Sequence, residues 1–270
     1  MAKRGTDRTA LPIKVIAFDG DDTLWHNETH FQFTQSALRD LLRAHAPEVD
    51  IDERLFATEM ANLGLYGYGI KSFTLSMIET AIEVTDGRIP ASDLKVILDW
   101  GKRMLREPTE LLDGVRETLL EVSKKHQVLL ITKGDLFDQE SKLARSGLAE
   151  RFAGVEILSN KTVDSYRRVL ERRDIAPDNF VMVGNSLRSD VVPVIELGAR
   201  AVHIPYHLTW DHEQVDESSL PRDGWYRLES ITGLSKLLGT LGGRAQNAPR
   251  RAVRHKLQSR PDRTSDRTWH

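Results

Sequence analysis

Three carboxylates fall within four positions at Asp19, Asp21 and Asp22, in the stretch Val15-Ile16-Ala17-Phe18-Asp19-Gly20-Asp21-Asp22-Thr23. Like charges this close repel one another unless something compensates them. A divalent cation is the obvious candidate, because hard cations prefer oxygen ligands and Mg²⁺ is typically held by one or two carboxylates together with substrate phosphate. Polar groups follow three later apolar runs in the same way: Thr132 and Lys133, then Lys161, then Asn185 and Asp190. The set contains a carboxylate able to act as a nucleophile, a second carboxylate, a hydroxyl donor, a fixed cation and further oxygen ligands for a metal. Taken singly each member is ambiguous. The acidic stretch also reads as an Asp-rich turn or helix cap, Thr132 as a strand end, Lys161 as a surface lysine, Asn185 as a turn residue and Asp190 as a cap.

The elements that must position these groups are legible as apolar runs of strand length. Residues 15–18, 127–131, 154–158, 180–183 and 201–205 predict five strands. From residue 114 onward strands alternate with helical patterns: 114–125, 137–146, 164–173 and 194–197. That alternation predicts an α/β fold with a doubly wound, Rossmann-like parallel sheet. In such a sheet the C-terminal strand ends converge on one crevice, so Asp19, Asp21, Thr132, Lys161, Asn185 and Asp190 are expected to meet there.

Between the first strand and the next strand signal lie roughly 80 mainly helical residues, too many for a loop. They predict an inserted helical domain over residues 26–108, with the core formed by 11–25 and 109–243. Its helices are expected near 33–42, 55–65 and 73–84, with a fourth capped by Ser92 or Asp93. Residues 1–10 read as a flexible N-terminus, 209–229 as irregular, 231–241 as a last helix and 244–270 as a basic, disordered tail.

Composition narrows the function classes. The chain has 270 residues, 40% hydrophobic and 29% charged, with a formal net charge of −2 and no cysteine. Disulfides, thiolate chemistry and Cys-ligated zinc are excluded. The charge gives no case for a nucleic-acid partner, and no run approaches the roughly 20 apolar residues of a membrane span. The basic N-terminus lacks the apolar core and cleavage site of a signal peptide. A soluble, cytoplasmic protein is expected.

The order DxDx[T/V] after a first strand, Thr after a second, then Lys, then G(D/N)xxxxD after a later strand resembles the four motifs of the haloacid dehalogenase superfamily. The resemblance covers roughly residues 13–205, and the helical insert is similar to that superfamily's C1-type cap. It implies a Mg²⁺-dependent hydrolase of a small phosphomonoester. On these residues it implies that Asp19 attacks phosphorus to form an aspartyl phosphate, and that Asp21 protonates the leaving oxygen and then activates water. Thr132, Lys133, Lys161 and the amides of residues 20–22 and 133 would bind the phosphoryl group. Asp19, Asp21 (through its carbonyl), Asn185 and Asp190 would hold Mg²⁺. Two positions depart from the family pattern: Asp22 stands where Gly is common, and Asn185 where Asp is common, which removes one negative charge from the metal site. Asp22 is expected to be a bystander in the turn.

The insert carries Leu65-Tyr66-Gly67-Tyr68-Gly69-Ile70-Lys71, a loop expected to face the site, with Lys71 meeting a substrate anion. Trp25, His26, Tyr206, His207 and Trp210 are expected at the pocket mouth. Competing readings on the same fold are a 2-haloacid dehalogenase, a phosphosugar mutase and a weakly active binding or regulatory protein.

Overall fold

The structure, a computed structural model, describes residues 13–246. The expectations for residues 1–10 and for 247–270 lie outside the described residues.

Six parallel strands form one sheet in the order β3-β2-β1-β4-β5-β6. They are β1 (Val15–Phe18), β2 (Gln127–Lys133), β3 (Gly154–Leu158), β4 (Phe180–Gly184), β5 (Arg200–His203) and β6 (Trp225–Arg227). β1 lies at the centre, with Ile16 in register with Val128 on one side and Val181 on the other. Its four residues are all buried because both sheet faces are covered. Ile16 and Phe18 pack against Val115, Leu119 and Leu234 of helices α5 (Val115–Val122) and α9 (Leu234–Gln246). Val15 and Ala17 pack on the other face against Tyr166 and Val169 of α7 (Val163–Arg172) and Val194 of α8 (Val192–Glu196).

Two expectations for the sheet domain need correction. Residues 209–229 contain a sixth strand, β6, which pairs with β5 in parallel. It is three residues long and flanked by charges, so its Trp225-Tyr226 pair gives too short an apolar signal. The last helix also extends beyond 241, through Gly242 and Gly243 to Gln246, inside the stretch expected to start the disordered tail.

Between β1 and α5 run four helices: α1 (Glu28–Leu42), α2 (Ile51–Tyr66), α3 (Ile70–Val84) and α4 (Ala91–Met104). They bury their own apolar cluster, including Leu38, Leu42, Leu55, Phe73, Met77 and Ile97. Asp50 caps α2 by accepting from the Glu53 amide at 3.0 Å. α4 starts directly after Pro90, so Ser92 and Asp93 sit inside its first turn rather than before it. α6 (Leu136–Ser146) follows β2, with Asp135 as its N-cap and Gly147 closing its C-terminus in the left-handed conformation.

Candidate active site

The C-terminal ends of β1, β2 and β4 and the start of α7 open into one cleft, roofed by α1, α2 and the α2–α3 loop. Asp19, Asp21, Thr132, Lys133, Lys161, Asn185 and Asp190 all line it. The structure therefore brings together every expected site residue except Lys71.

Asp19 sits at the end of β1, fixed by its amide donating to the Val183 carbonyl at 2.9 Å. Lys161 Nζ donates to Asp19 Oδ1, and to Asp190 Oδ1 at 2.7 Å. The Lys161 side chain is 1% exposed. Burial pushes Asp19 up to about 7, Lys161 opposes that rise, and the charges of Asp190 and Asp21 add to it. Asp190 belongs to a π turn (Leu187–Val191) after β4, a geometry common at functional sites. Its second oxygen accepts from the Ser186 amide at 3.1 Å, so both its oxygens have protein partners.

Asp21 is re-aimed by the turn after β1. The Leu24 amide reaches back to the Gly20 carbonyl at 2.8 Å. Asp22 takes the left-handed conformation at φ 60°, unusual for a residue other than Gly. Its carboxylate accepts from the amides of Asn27 at 2.9 Å and Glu28 at 3.0 Å, tying the turn to the start of α1. Asp22 is thus no bystander: it fastens the link into the helical insert. Burial pushes it up to about 8 despite those two amides. Its own amide donates to the Trp25 carbonyl at 2.7 Å, so it is already committed rather than free for a phosphoryl oxygen.

Three side chains then hold the Asp21 carboxylate. Trp25 Nε1 donates at 2.7 Å, Gln139 Nε2 at 2.8 Å, and Lys142 Nζ at 3.0 and 3.1 Å to its two oxygens. Trp25 is fully buried here, not at the pocket mouth. The Thr132 hydroxyl donates to Gln139 Oε1 at 3.1 Å, linking β2 to Asp21 through Gln139. Gln139 and Lys142 are absent from the expected set, and it is the burial along α6 that marks them. Its Leu136 and Phe137 are exposed while Asp138, Gln139 and Lys142 are buried, the reverse of an ordinary surface helix.

The donors suit a hard cation. Among the described residues no cluster of three or more His, Asp or Glu side chains could form a metal cage. The Asn185 side chain instead ends 3.3 Å from each of Asp19 Oδ2, the Asp21 carbonyl and Thr23 Oγ1. Turned with its nitrogen inward, the amide donates to all three. Turned with its oxygen inward, it completes a cradle of oxygens that only a cation or a hydroxyl proton can satisfy. A carboxylate, a backbone carbonyl and an amide carbonyl leave room for water and phosphate, which is how Mg²⁺ is usually bound.

On the other side of the cleft Lys133 Nζ pairs with Glu213 and donates to Ser189 Oγ at 2.9 Å. It lies 4.2 Å from the centre of the Tyr68 ring. Burial works against charge on Glu213, but Lys133 and the Ser186 and Ser189 hydroxyls outweigh it and bring it to about 2. The loop of the insert does face the site: Gly67, Tyr68 and Gly69 line the cleft. Both glycines have positive φ, 72° and 113°, which a side chain would strain. Lys71 does not face it. Its ammonium pairs with Asp135 at 3.0 Å on the outer surface, with the side chain 54% exposed. His26 Nδ1 lies 2.6 Å from the Tyr206 hydroxyl, outside the cleft lining, whereas Trp210 belongs to that lining.

A family model described as haloacid dehalogenase-like hydrolase matches residues 13–198. A haloacid dehalogenase-like family hydrolase from Xanthomonas campestris superposes with a TM-score of 0.78 at 38% identity, over 91% of this chain and 97% of that one. A glyceraldehyde 3-phosphate phosphatase from Pyrococcus furiosus is 26% identical over 206 residues, 72% of this chain and 81% of the relative. A haloacid dehalogenase-type hydrolase from Bacillus subtilis, solved bound to magnesium, shares the fold at a TM-score of 0.59 and 16% identity, over 84% of this chain and 99% of that one. No helix among the described residues is long and apolar enough to cross a membrane.

Proposed function

The chain belongs to the haloacid dehalogenase-like hydrolases, and from that premise we propose that it hydrolyses a small phosphomonoester, with Mg²⁺ bound, through an aspartyl-phosphate intermediate. The observation that carries this reading is the pairing of two carboxylates with different environments in one cleft: Asp19 against the buried Lys161, and Asp21 held by neutral and cationic donors a turn away. A phosphatase of this kind needs both a nucleophile and a proton carrier.

In this mechanism an Asp19 oxygen attacks phosphorus, the bond from phosphorus to the leaving oxygen breaks, and the Asp21 carboxyl passes its proton to that oxygen. Water then attacks the phosphorus of the aspartyl phosphate, Asp21 takes the proton, and Asp19 is released as a carboxylate. Asp19, the Asp21 carbonyl and Asn185 would hold Mg²⁺, with Asp190 acting behind Lys161 or through water; the ion supplies positive charge that offsets the repulsion between Asp19 and the phosphate. Lys161 faces the charge that builds on the phosphoryl group. Thr132 can turn its hydroxyl from Gln139 to a phosphoryl oxygen, and Lys133 can exchange part of its contact with Glu213 for substrate. We take residues 26–108 as the cap domain, whose Tyr68 loop closes the leaving-group side. The glyceraldehyde 3-phosphate activity of the Pyrococcus furiosus relative makes small sugar phosphates the first substrates to assay.

A 2-haloacid dehalogenase uses the same fold without needing Asp21, because halide departs unprotonated; three donors committed to Asp21 favour the phosphatase. The test is phosphate release from p-nitrophenyl phosphate and a panel of metabolite phosphates, with Mg²⁺ and with EDTA. Release that requires Mg²⁺ and vanishes in Asp19→Asn is expected. No Mg²⁺-dependent release, or an Asp19→Asn protein as active as the parent, rejects the reading, and halide release from a 2-chloroacid replaces it with the dehalogenase.

A further inference from the structure

Lys142 is a lysine that ordinary helix packing does not explain. It lies on α6, only 8% exposed, four residues after Asp138 and far in sequence from the acidic turn. A buried ammonium is costly unless it is paired and hydrogen-bonded. Here it is surrounded by acceptors: both oxygens of Asp21 at 3.0 and 3.1 Å, Asn27 Oδ1 at 2.7 Å and Asp138 Oδ2 at 3.2 Å. Burial alone would lower its proton affinity, but the charges of Asp21 and Asp138 outweigh it and hold the ammonium above the usual lysine range.

Its partners belong to two different parts of the site. Asp21 is the proton carrier of the reaction proposed above. Asn27 opens α1, and its amide is held by the Asp22 carboxylate at 2.9 Å. Lys142 therefore joins the aim of Asp21 to the position of the first helix of the insert. A residue two places beyond Asp19 would point to the opposite face of a continuing strand. Asp21 serves the same phosphoryl group as Asp19 only while something holds it turned back, and Lys142 is the one charged donor among the three that do.

We propose that Lys142 is the positioning residue for Asp21, aiming its carboxyl group at the leaving oxygen and linking that aim to the seating of α1 through Asn27. This rests on the phosphatase reading. Lys142 then acts in the two steps in which Asp21 moves a proton, and only the first of them depends on the leaving group.

The experiment compares two substrates in the Mg²⁺-loaded full-length protein and its Lys142→Met variant. A simple alkyl phosphate expels a basic alkoxide and needs the proton; p-nitrophenyl phosphate expels a stable phenolate and does not. General acid catalysis is typically worth about 10²–10⁴-fold. On the alkyl phosphate kcat/KM, which reports the first phosphoryl transfer and not the hydrolysis common to both substrates, is expected to fall by about 100-fold or more, and on p-nitrophenyl phosphate by less than about tenfold. In an Asp21→Asn background the same Lys142 change should cost little more, because the two residues act as a unit. Lys142→Gln, which keeps a donor without the charge, is the second variant should the methionine protein fold poorly, with thermal melts reported for both. Equal losses on the two substrates, or a full additional loss in the Asp21→Asn background, overturn the proposal. A parent protein that releases phosphate from neither substrate overturns the phosphatase reading first and the role of Lys142 with it.

Discussion

Lys161 Nζ lies 2.7 Å from Asp190 Oδ1, with both side chains 1% exposed. The same ammonium also pairs with Asp19, so one buried cation serves two carboxylates. Removing one member of such a group leaves buried charge without compensation, at a cost of about 3–5 kcal/mol. Lys161→Met is expected to lose activity and to unfold at markedly lower urea concentration than the parent. Asp190→Asn keeps the shape and leaves Lys161 its bond to Asp19, so its loss of stability should be smaller. A Lys161→Met protein as stable as the parent in urea titration would contradict the pairing.

Of the three lysines expected to bind substrate, Lys71 and Lys133 part company. Lys71 makes an exposed pair with Asp135, and pairs of that kind contribute about 0–1 kcal/mol. Lys71→Ala is expected to leave kcat/KM within about threefold of the parent. Lys133 is enclosed by Glu213, Ser189 and the Tyr68 ring within the cleft. Lys133→Met strands Glu213, whose low proton affinity contributes stability above pH 4.5 that is lost as pH falls toward 2. Its melting temperature should drop at pH 7, and this difference from the parent should narrow in acid. Measuring kcat/KM and melting curves for both variants separates the surface lysine from the cleft lysine.

How far the site could be read in advance follows from where each residue sits. Asp19, Thr132 and Asn185 stand where buried parallel strands end, and a run such as Val-Ile-Ala-Phe stopping at an acid is visible in one dimension. Lys161 follows β3 in the same way. The side chains that aim those groups come from elsewhere. Gln139 and Lys142 lie on a helix whose polar side faces inward, and helical periodicity reports two faces without saying which is wet. Glu213 ends a 3₁₀ turn of only three residues, Asp211–Glu213, too short to show a period, so nothing local marks it as a partner of Lys133. Lys71 shows the opposite failure: its neighbours Gly67 to Gly69 do line the cleft, but as the second residue of α3 its own side chain leaves on the outer face. Asp22 was legible as a turn residue, yet its hold on α1 depends on a positive φ that the residue type alone does not announce.

Glu59 lies in the cleft roof, where burial and the neighbouring Glu28 charge push it up to about 8. An unfolded chain releases that proton near 4.5. Between these values the folded protein binds more protons than the unfolded one, so stability falls as pH rises through the window. Glu59→Gln removes this dependence. The variant and the parent should melt together near pH 4, and the variant should be the more stable at pH 8.5. For a protein of this size about 1 kcal/mol corresponds to roughly 2–4 °C, which melting curves at several pH values resolve. A parent whose advantage over the variant grows with pH would contradict the assignment.

On the proposed phosphatase reading, the charge balance of the cleft bears on which esters it would accept. Eight carboxyl groups and three lysines line it. Lys161 is committed to Asp19 and Asp190, Lys142 to Asp21 and Asp138, and Lys133 to Glu213. Asp22, Glu28 and Glu59 have no lysine or arginine partner among the described residues, and the two glutamates line the cleft roof from α1 and α2. Mg²⁺ and a phosphoryl group, bound as proposed, would change the balance near Asp19 but bring no cation to that roof. Above pH 8, where Asp22 and Glu59 lose their protons, a leaving group with its own carboxylate meets like charge in a low-dielectric setting, where repulsion is worth about a kcal/mol or more at contact distances. The expected outcome is a kcat/KM about tenfold higher for 2-hydroxyethyl phosphate than for 2-phosphoglycolate, which differ mainly in that carboxylate, since about 1.4 kcal/mol corresponds to tenfold. Glu59→Gln should narrow the difference, measured by phosphate release at pH 8.5, where the parent carboxyl is ionised. An unchanged ratio in that variant, or a preference for the carboxylate-bearing ester, would mean that a cation outside this cleft lining receives the leaving group.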